Sequence, residues 1–267
     1  MPIKLPGHPD KSLSKVQQAA WRAFRTLLMD PDGPDRIYNQ LPESKNGRII
    51  STDIARHLDA RYHSTPPGKP RDLAPGDDLA WRYSHDRLDR EIRNRGHRKL
   101  IRFMAGGWAA GKTHALENQS TIPDLIWDGT LKDSLWAAEM MDLALANGWL
   151  IEIAYVYRDL ELAFYGAMER AASEGRSVPL ELLPSIHRAV QKSIAVLLDL
   201  YQTTTGVSFL LLHNIGIKKI RMEALKFSQG DLEPYGALHY SAAHESYYIQ
   251  AASRFGKAQV ERAGEDR

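Results

Sequence analysis

Hydrophobic positions along the chain follow two rhythms, and the switches between them outline its elements. Val16, Ala20, Phe24 and Leu27 recur at helical spacing, so residues 12–29 are expected to form an amphipathic helix that Asp30-Pro31-Asp32-Gly33-Pro34 ends. A second turn-rich piece runs from Leu41 to Gly47, and Arg48-Ile49-Ile50-Ser51-Thr52 is a short β-prone run. A helix over 54–62 follows, then a loop over 64–78 that carries Pro66, Pro67, Pro70 and Pro75. Trp81, His85, Leu88 and Ile92 mark a further helix, closed by Gly96. Leu100 to Ala105 is an apolar run broken by Arg102 alone, the mark of a strand covered on both faces. Asp124-Leu125-Ile126-Trp127 and Trp149 to Tyr157 read the same way, with a helix on Leu135, Ala138, Met141 and Leu145 between them. Residues 158–200 are helical apart from a break at Gly175-Arg176-Ser177-Val178-Pro179, with Ile186, Val190, Ile194 and Leu197 continuing one face. Ser208 to Asn214 is a fifth strand, and Tyr235, Tyr240, Tyr247 and Tyr248 fall on an expected helix over 235–256 whose aromatic face suits core or partner contact.

The apolar run at 100–105 leads into Gly106-Gly107-Trp108-Ala109-Ala110-Gly111-Lys112-Thr113, which fits the phosphate-loop spacing G-x-x-x-x-G-K-[ST]. Such a loop wraps a phosphate with successive backbone N–H groups, and glycine tolerates the dihedrals this requires. Lys112 is placed to reach the β- and γ-phosphates, and Thr113 to offer its hydroxyl to Mg²⁺. With strands at 48–52, 100–105, 124–128, 150–156 and 208–213, the expected fold is α/β. It is a three-layer P-loop kinase-like core with a five-stranded parallel sheet and helical additions at both ends. Residues 1–46 are the expected N-terminal helical extension, and 47–267 the core with a helical lid around 158–185.

Two acidic residues stand at strand ends, where open α/β sheets carry their chemistry. Asp53 follows the 48–52 run and reads equally as a catalytic carboxylate or as the N-cap of the next helix. Asp128, before Gly129 and Thr130, reads as a Mg²⁺ or substrate-hydroxyl ligand or as a turn residue. Arg170 and Arg176 flank the 175–179 break, and arginines so placed close over phosphates in phosphoryl transfer or lie solvated on a helix surface.

Composition narrows the classes. The 267 residues are 43% hydrophobic and 25% charged with a net charge of +2, ordinary for a globular protein and without pull toward nucleic acid or membrane. The chain has no Cys, so disulfides and zinc–thiolate sites are excluded. His239 and His244 are five apart and no HExxH occurs, so no zinc site is assigned. Lys4, Lys11 and Lys15 precede no apolar stretch, which excludes a signal peptide there and makes the cytoplasm the expected location.

The phosphate loop, Asp128-Gly129-Thr130, Tyr165-x4-Arg170, and Gly175-Arg176-Ser177-Val178-Pro179 with Ile186-His187 downstream together resemble the zeta-toxin family of P-loop kinases. The resemblance spans residues 98–214. It implies a kinase that uses ATP or GTP with Mg²⁺ to phosphorylate a hydroxyl of a nucleotide-linked small molecule, typically UDP-N-acetylglucosamine. It also implies an antitoxin or immunity protein as partner, since several members are toxins held silent in this way. Arg170 and Arg176 take the place of the lid arginines on the nucleotide phosphates, while Asp128 and Thr130 take the substrate-binding place, with Asp128 where better-known members carry Glu. The family's Asp, with Arg three residues on, normally follows the phosphate-loop helix. Here the similar segment, Thr52-Asp53-Ile54-Ala55-Arg56, lies upstream of the loop. The implied order is permuted. Asp53 then takes the hydroxyl proton, Arg56 faces the acceptor, and strand 48–52 lies beside strand 124–128, a connection that right-handed crossovers allow. Two other functions fit the same loop: a nucleotide-hydrolysing switch, and a nucleotide-binding interaction protein without transferase activity.

Overall fold

The structure is a computed structural model that describes residues 5–31, 33–59, 62, 76–94, 99–117, 123–174, 178–216 and 222–225. Its strands are β1 (Ile49–Ile50), β2 (Leu100–Ala105), β3 (Leu125–Asp128), β4 (Leu150–Tyr157), β5 (Val207–Asn214) and β6 (Met222–Leu225), in the sheet order β1-β3-β2-β4-β5-β6. β1 pairs with β3 in parallel, with Ile49 opposite Ile126 and Ile50 opposite Trp127, as the permuted order requires. Backbone bonds from Asp124 N to Leu100 O (2.9 Å) and from Leu150 N to Lys99 O (2.8 Å) join β2 to β3 and β4 at their starts. Parallel neighbours meet in this way. The fold is therefore the expected α/β one with a five-stranded parallel sheet.

β6 is an addition that the hydrophobic pattern does not show. It pairs antiparallel with β5, placing Leu211 opposite Leu225 and Asn214 opposite Met222. Met-Glu-Ala-Leu is too short a stretch for alternation to stand out. The expected helix over 235–256 lies outside the described residues, as do Gly96 and residues 64–75 of the expected loop.

The chain divides into two compact units. The described residues of 1–103, 121–129 and 140–151 form the first. Its helices include α1 (Lys15–Leu28), α2 (Gly33–Gln40), α3 (Thr52–Ala55) and α4 (Asp77–Asn94). Ser14 caps α1 in a reciprocal capping box with Gln17. The buried stripe of α1 is Trp21, Phe24 and Leu28, not the stripe that begins at Val16, which is 70% exposed. Trp21 decides the difference, because its large ring is 2% exposed and its Nε1 donates to Asp78 at 3.1 Å. α2 is tied to α4 through Arg87, which is buried, donates to Tyr83 Oη at 3.0 Å and to Asn39, and lies 4.4 Å from the centre of the Tyr38 ring. Burial alone would raise the Asp35 carboxyl, but Arg90, Tyr83 and Arg87 outweigh it and hold it below the usual carboxylate range.

The described residues of 104–120, 130–139 and 152–267 form the second unit. It contains α5 (Lys112–Glu117), α7 (Leu160–Glu174) and α8 (Leu183–Tyr201), while α6 (Ser134–Ala146) continues from this unit into the first. Leu160, Ala163 and Ala167 of α7 pack with Leu183 of α8, and Ala109 of the glycine-rich loop joins them. Small residues on α7 let these parts approach closely. Among the described residues no helix is long and apolar enough to cross a membrane.

Candidate functional site

Gly106 to Lys112 form a turn whose backbone the sequence was bound to adopt with glycine. Gly106 has φ +152° and Gly111 φ +98°, values that side chains resist. A Cβ on Gly106 would lie 2.7 Å from Val156 O, which is backbone and has no room to yield. Ala109 also takes a positive φ, 57°. Gly106, Gly107 and Ala110 are buried, and Trp108 and Ala109 half-buried.

Every carbonyl of this loop from Gly106 to Gly111 is held by a donor of the protein. Lys112 Nζ donates to Gly106 O (3.0 Å) and Gly107 O (3.2 Å). His187 Nε2 meets Trp108 O at 2.9 Å. Arg158 Nη1 donates to Ala109 O at 2.9 Å, and Asn214 Nδ2 to Ala110 O at 2.9 Å. Ala115 N closes the series on Gly111 O at 3.1 Å. With its carbonyls engaged, the loop is held in one conformation by the protein's own donors. Thr113 is exposed directly after it, and Thr130 O accepts from Gly106 N at 3.2 Å.

His187 is buried, and burial, reinforced by the Lys112 and Arg158 charges, pushes its imidazole down to about 4 against the effect of the Trp108 bond. At neutral pH the ring is uncharged, so Nε2 carries the hydrogen that Trp108 O accepts. A Cβ on Gly107 would lie 2.2 Å from His187 Cδ2, so the second glycine of the loop makes room for this ring. A prediction follows for stability. An unfolded histidine titrates near 6.5, so between about pH 6.5 and 4 the unfolded state binds more protons than the folded state. Stability should fall on acidification through that window by up to about 1.4 kcal/mol per pH unit from this group. His187→Gln should show a shallower loss of melting temperature there. Identical pH profiles would show that His187 does not titrate as its surroundings dictate.

Arg158, Asn214 and Tyr38 were not singled out from sequence. Arg158 directly follows β4 and Asn214 ends β5, so the strand-end rule that marked Asp53 and Asp128 could have found both. Arg170 is half-buried, and its charge acts on Arg158. Arg176 lies outside the described residues.

The first unit gathers a second constellation. Ser51, not Asp53, caps α3, because its side chain accepts from Asp53 N at 3.2 Å. The helix-capping reading of the Asp53 carboxylate thereby falls away. That side chain is 50% exposed and ion-paired with Arg56, which also bonds Asp77 at 2.6 Å. Burial would lower the Arg56 guanidinium, but Asp53 and Asp77 together raise it. Tyr38 Oη donates to Ile49 O and accepts from Ser51 N, both at 3.0 Å, and so fixes the turn that leads to Asp53. Burial raises the Tyr38 hydroxyl well above its usual value, and Asp128 and Asp53 add to the rise. Asp128 ends β3 and Asp53 follows its neighbour β1, and Tyr38 feels both carboxylates. Trp127, just before Asp128, meets His85 edge-on with ring centres 4.9 Å apart, and His85 lies on Trp81 at 4.0 Å. Among the described residues no group of three or more His, Asp or Glu side chains is placed to hold a metal ion.

Residues 120–208 match the family model of the zeta toxin, so the chain is zeta-toxin-like over this part of its core. Crystal structures of AvrRxo1-ORF1 with AvrRxo1-ORF2, one with sulphate ions and one with ATP, are each similar at 14% identity and TM-score 0.44, over 58% of this chain and 69% and 68% of theirs. A structure from the PezAT chromosomal toxin–antitoxin system of Streptococcus pneumoniae is similar at 13% identity and TM-score 0.39, over 94% of this chain and 98% of that one. No curated protein matches the sequence.

Proposed function

We propose that this zeta-toxin-like chain is a phosphotransferase that moves the γ-phosphoryl group of ATP or GTP to a hydroxyl of a small, nucleotide-linked acceptor of the UDP-N-acetylglucosamine kind. The observation that carries the reading is the bracing of six consecutive loop carbonyls, from Gly106 to Gly111, by Lys112, His187, Arg158, Asn214 and the Ala115 N–H. A loop held in this way by the protein's own donors is preorganised for an anion and loses little freedom on binding it.

In this account Lys112 leaves the loop carbonyls for the β- and γ-phosphates. Arg170 and Arg176, on the lid proposed at 158–185, neutralise the charge that spreads over the transferring group. Asp53 accepts the acceptor's hydroxyl proton as the new oxygen–phosphorus bond forms. The bond from the γ-phosphorus to the bridging oxygen breaks, and ADP or GDP leaves with the electron pair. Arg56, ion-paired with Asp53, faces the acceptor together with Asp128 and Thr130. The exposed hydroxyl of Thr113 suits Mg²⁺, a hard cation that takes oxygen donors and keeps several waters. When bound, that ion supplies charge neutralisation at the phosphates. A reaction that consumes nucleoside triphosphate belongs in the cytoplasm, and an antitoxin or immunity protein is the partner that would silence it.

The test follows the label of γ-labelled ATP in a metabolite extract. Transfer to a small molecule supports the kinase. Label in inorganic phosphate alone would make the protein a hydrolysing switch, and retention on ATP would leave only nucleotide binding.

A further inference from the structure

We infer that Arg158 is a phosphate-binding residue, a buried positive charge whose counter-charge is the phosphate chain of the bound nucleotide. The inference rests on the phosphate-loop reading above and adds a residue to it. Arg158 is only 7% exposed. One terminal nitrogen donates to Ala109 O of the phosphate loop at 2.9 Å and the other to Gly216 O at 3.1 Å. Its Nε is buried and has no hydrogen-bond partner among the described residues. None of their carboxylates stands at ion-pair distance from the guanidinium.

Two carbonyl dipoles do not balance a full charge, and a buried cation without a counter-ion is costly. Proteins keep such an arrangement where an anion completes it. The described neighbours carry more positive charge than negative. Lys112 and Arg158 both act on His187, and Arg170 acts on Arg158, while Glu169 is the one carboxylate whose charge is felt there among the described residues. A surplus of this kind beside loop N–H groups fits a polyanion of the triphosphate class better than a single carboxylate or sulfate.

The helix opposite is shaped to admit the guanidinium. Gly166 lies inside α7, where glycine weakens a helix. A Cβ at Gly166 would come within 2.7 Å of Arg158 Nη1 and lie 3.8 Å from Ala109 Cβ. Glycine here leaves the space in which Arg158 reaches the loop.

The experiment compares wild type, Arg158→Gln and Arg158→Lys by titration calorimetry with ATP and with inorganic tripolyphosphate, alongside ligand-free melting temperatures. Gln retains an amide donor without charge, and Lys retains charge without the planar fork. The expected result is a loss of tripolyphosphate and ATP affinity on the order of 10²-fold in Arg158→Gln, clear partial recovery in Arg158→Lys, and a ligand-free melting temperature in Arg158→Gln equal to or above wild type. Unchanged tripolyphosphate affinity in Arg158→Gln would overturn the inference. So would melting temperatures lowered alike in both variants without recovery by Lys, since that is the signature of a structural arginine. Wild type that binds neither probe would instead overturn the phosphate-loop reading itself.

Discussion

Asp53→Asn should leave nucleotide affinity and melting temperature close to wild type while phosphoryl transfer falls roughly 10²–10⁴-fold, the usual contribution of a positioned general base. Asparagine keeps the shape of the side chain and removes its negative charge and, with it, its ability to take a proton. Two features make the variant clean. Ser51 caps α3, so the helix does not depend on the Asp53 carboxylate. Arg56 keeps Asp77 as a partner when the Asp53 charge is lost, and the Asp53–Arg56 pair, half-exposed on the carboxylate side, contributes no more than about 1 kcal/mol. Transfer rates measured at saturating nucleotide, beside a binding isotherm, separate the outcomes. Full transfer in the Asn variant would show that Asp53 is a surface carboxylate paired with Arg56 and nothing more.

Lys112→Ala should lower kcat by roughly 10²–10³-fold, the size of effect seen when one preorganised donor to a developing charge is removed. The ligand-free fold should survive. Lys112 donates to the carbonyls of Gly106 and Gly107, and their neighbours Trp108, Ala109 and Ala110 remain held by His187, Arg158 and Asn214. Turnover and thermal melting on the same preparation decide the matter. Wild-type turnover would remove the phosphate loop from the mechanism, and an unfolded variant would make Lys112 a structural residue.

The parts of this fold that were legible in sequence are those whose cause is local. β2, β3 and β4 show as apolar runs because both faces of each are covered, and β5 shows similarly at 208–214. The phosphate loop shows because its glycines are required by backbone φ within a few residues of one another. The β1 neighbour of β3 could be inferred because an Asp–Arg pair at the right spacing lay upstream and right-handed crossovers leave few alternatives.

Helix faces were legible only to within a residue. α1 buries Trp21 and leaves Val16 out, and α6 buries Ala137, Met141 and Ala144 while Leu135 is 78% exposed. α6 is apolar on nearly every side, so its periodicity does not choose a face, and the packing partner does. The residues that brace the loop were hidden for a different reason. Arg158 reaches Ala109 across 49 positions, and Asn214 reaches Ala110 across 104. No window of the sequence contains both ends of such a bond. Tyr38 was passed over because it lies in a stretch that reads as an appendage, yet its hydroxyl bonds Ile49 and Ser51 beside Asp53. For Asp53 the strand-end position alone suits a cap as well as a catalytic carboxylate, and the structure gives the cap to Ser51.

The decisive measurement is a single-turnover assay with γ-labelled ATP, Mg²⁺ and UDP-N-acetylglucosamine, run in parallel with a whole metabolite extract, for wild type and Asp53→Asn. The account predicts that wild type moves the label to a hydroxyl of a small molecule in at least one of the two mixtures, and that Asp53→Asn binds the same ATP but leaves the label on it. Label released by wild type only as inorganic phosphate, in both mixtures and at the same rate with Asp53→Asn, would contradict it.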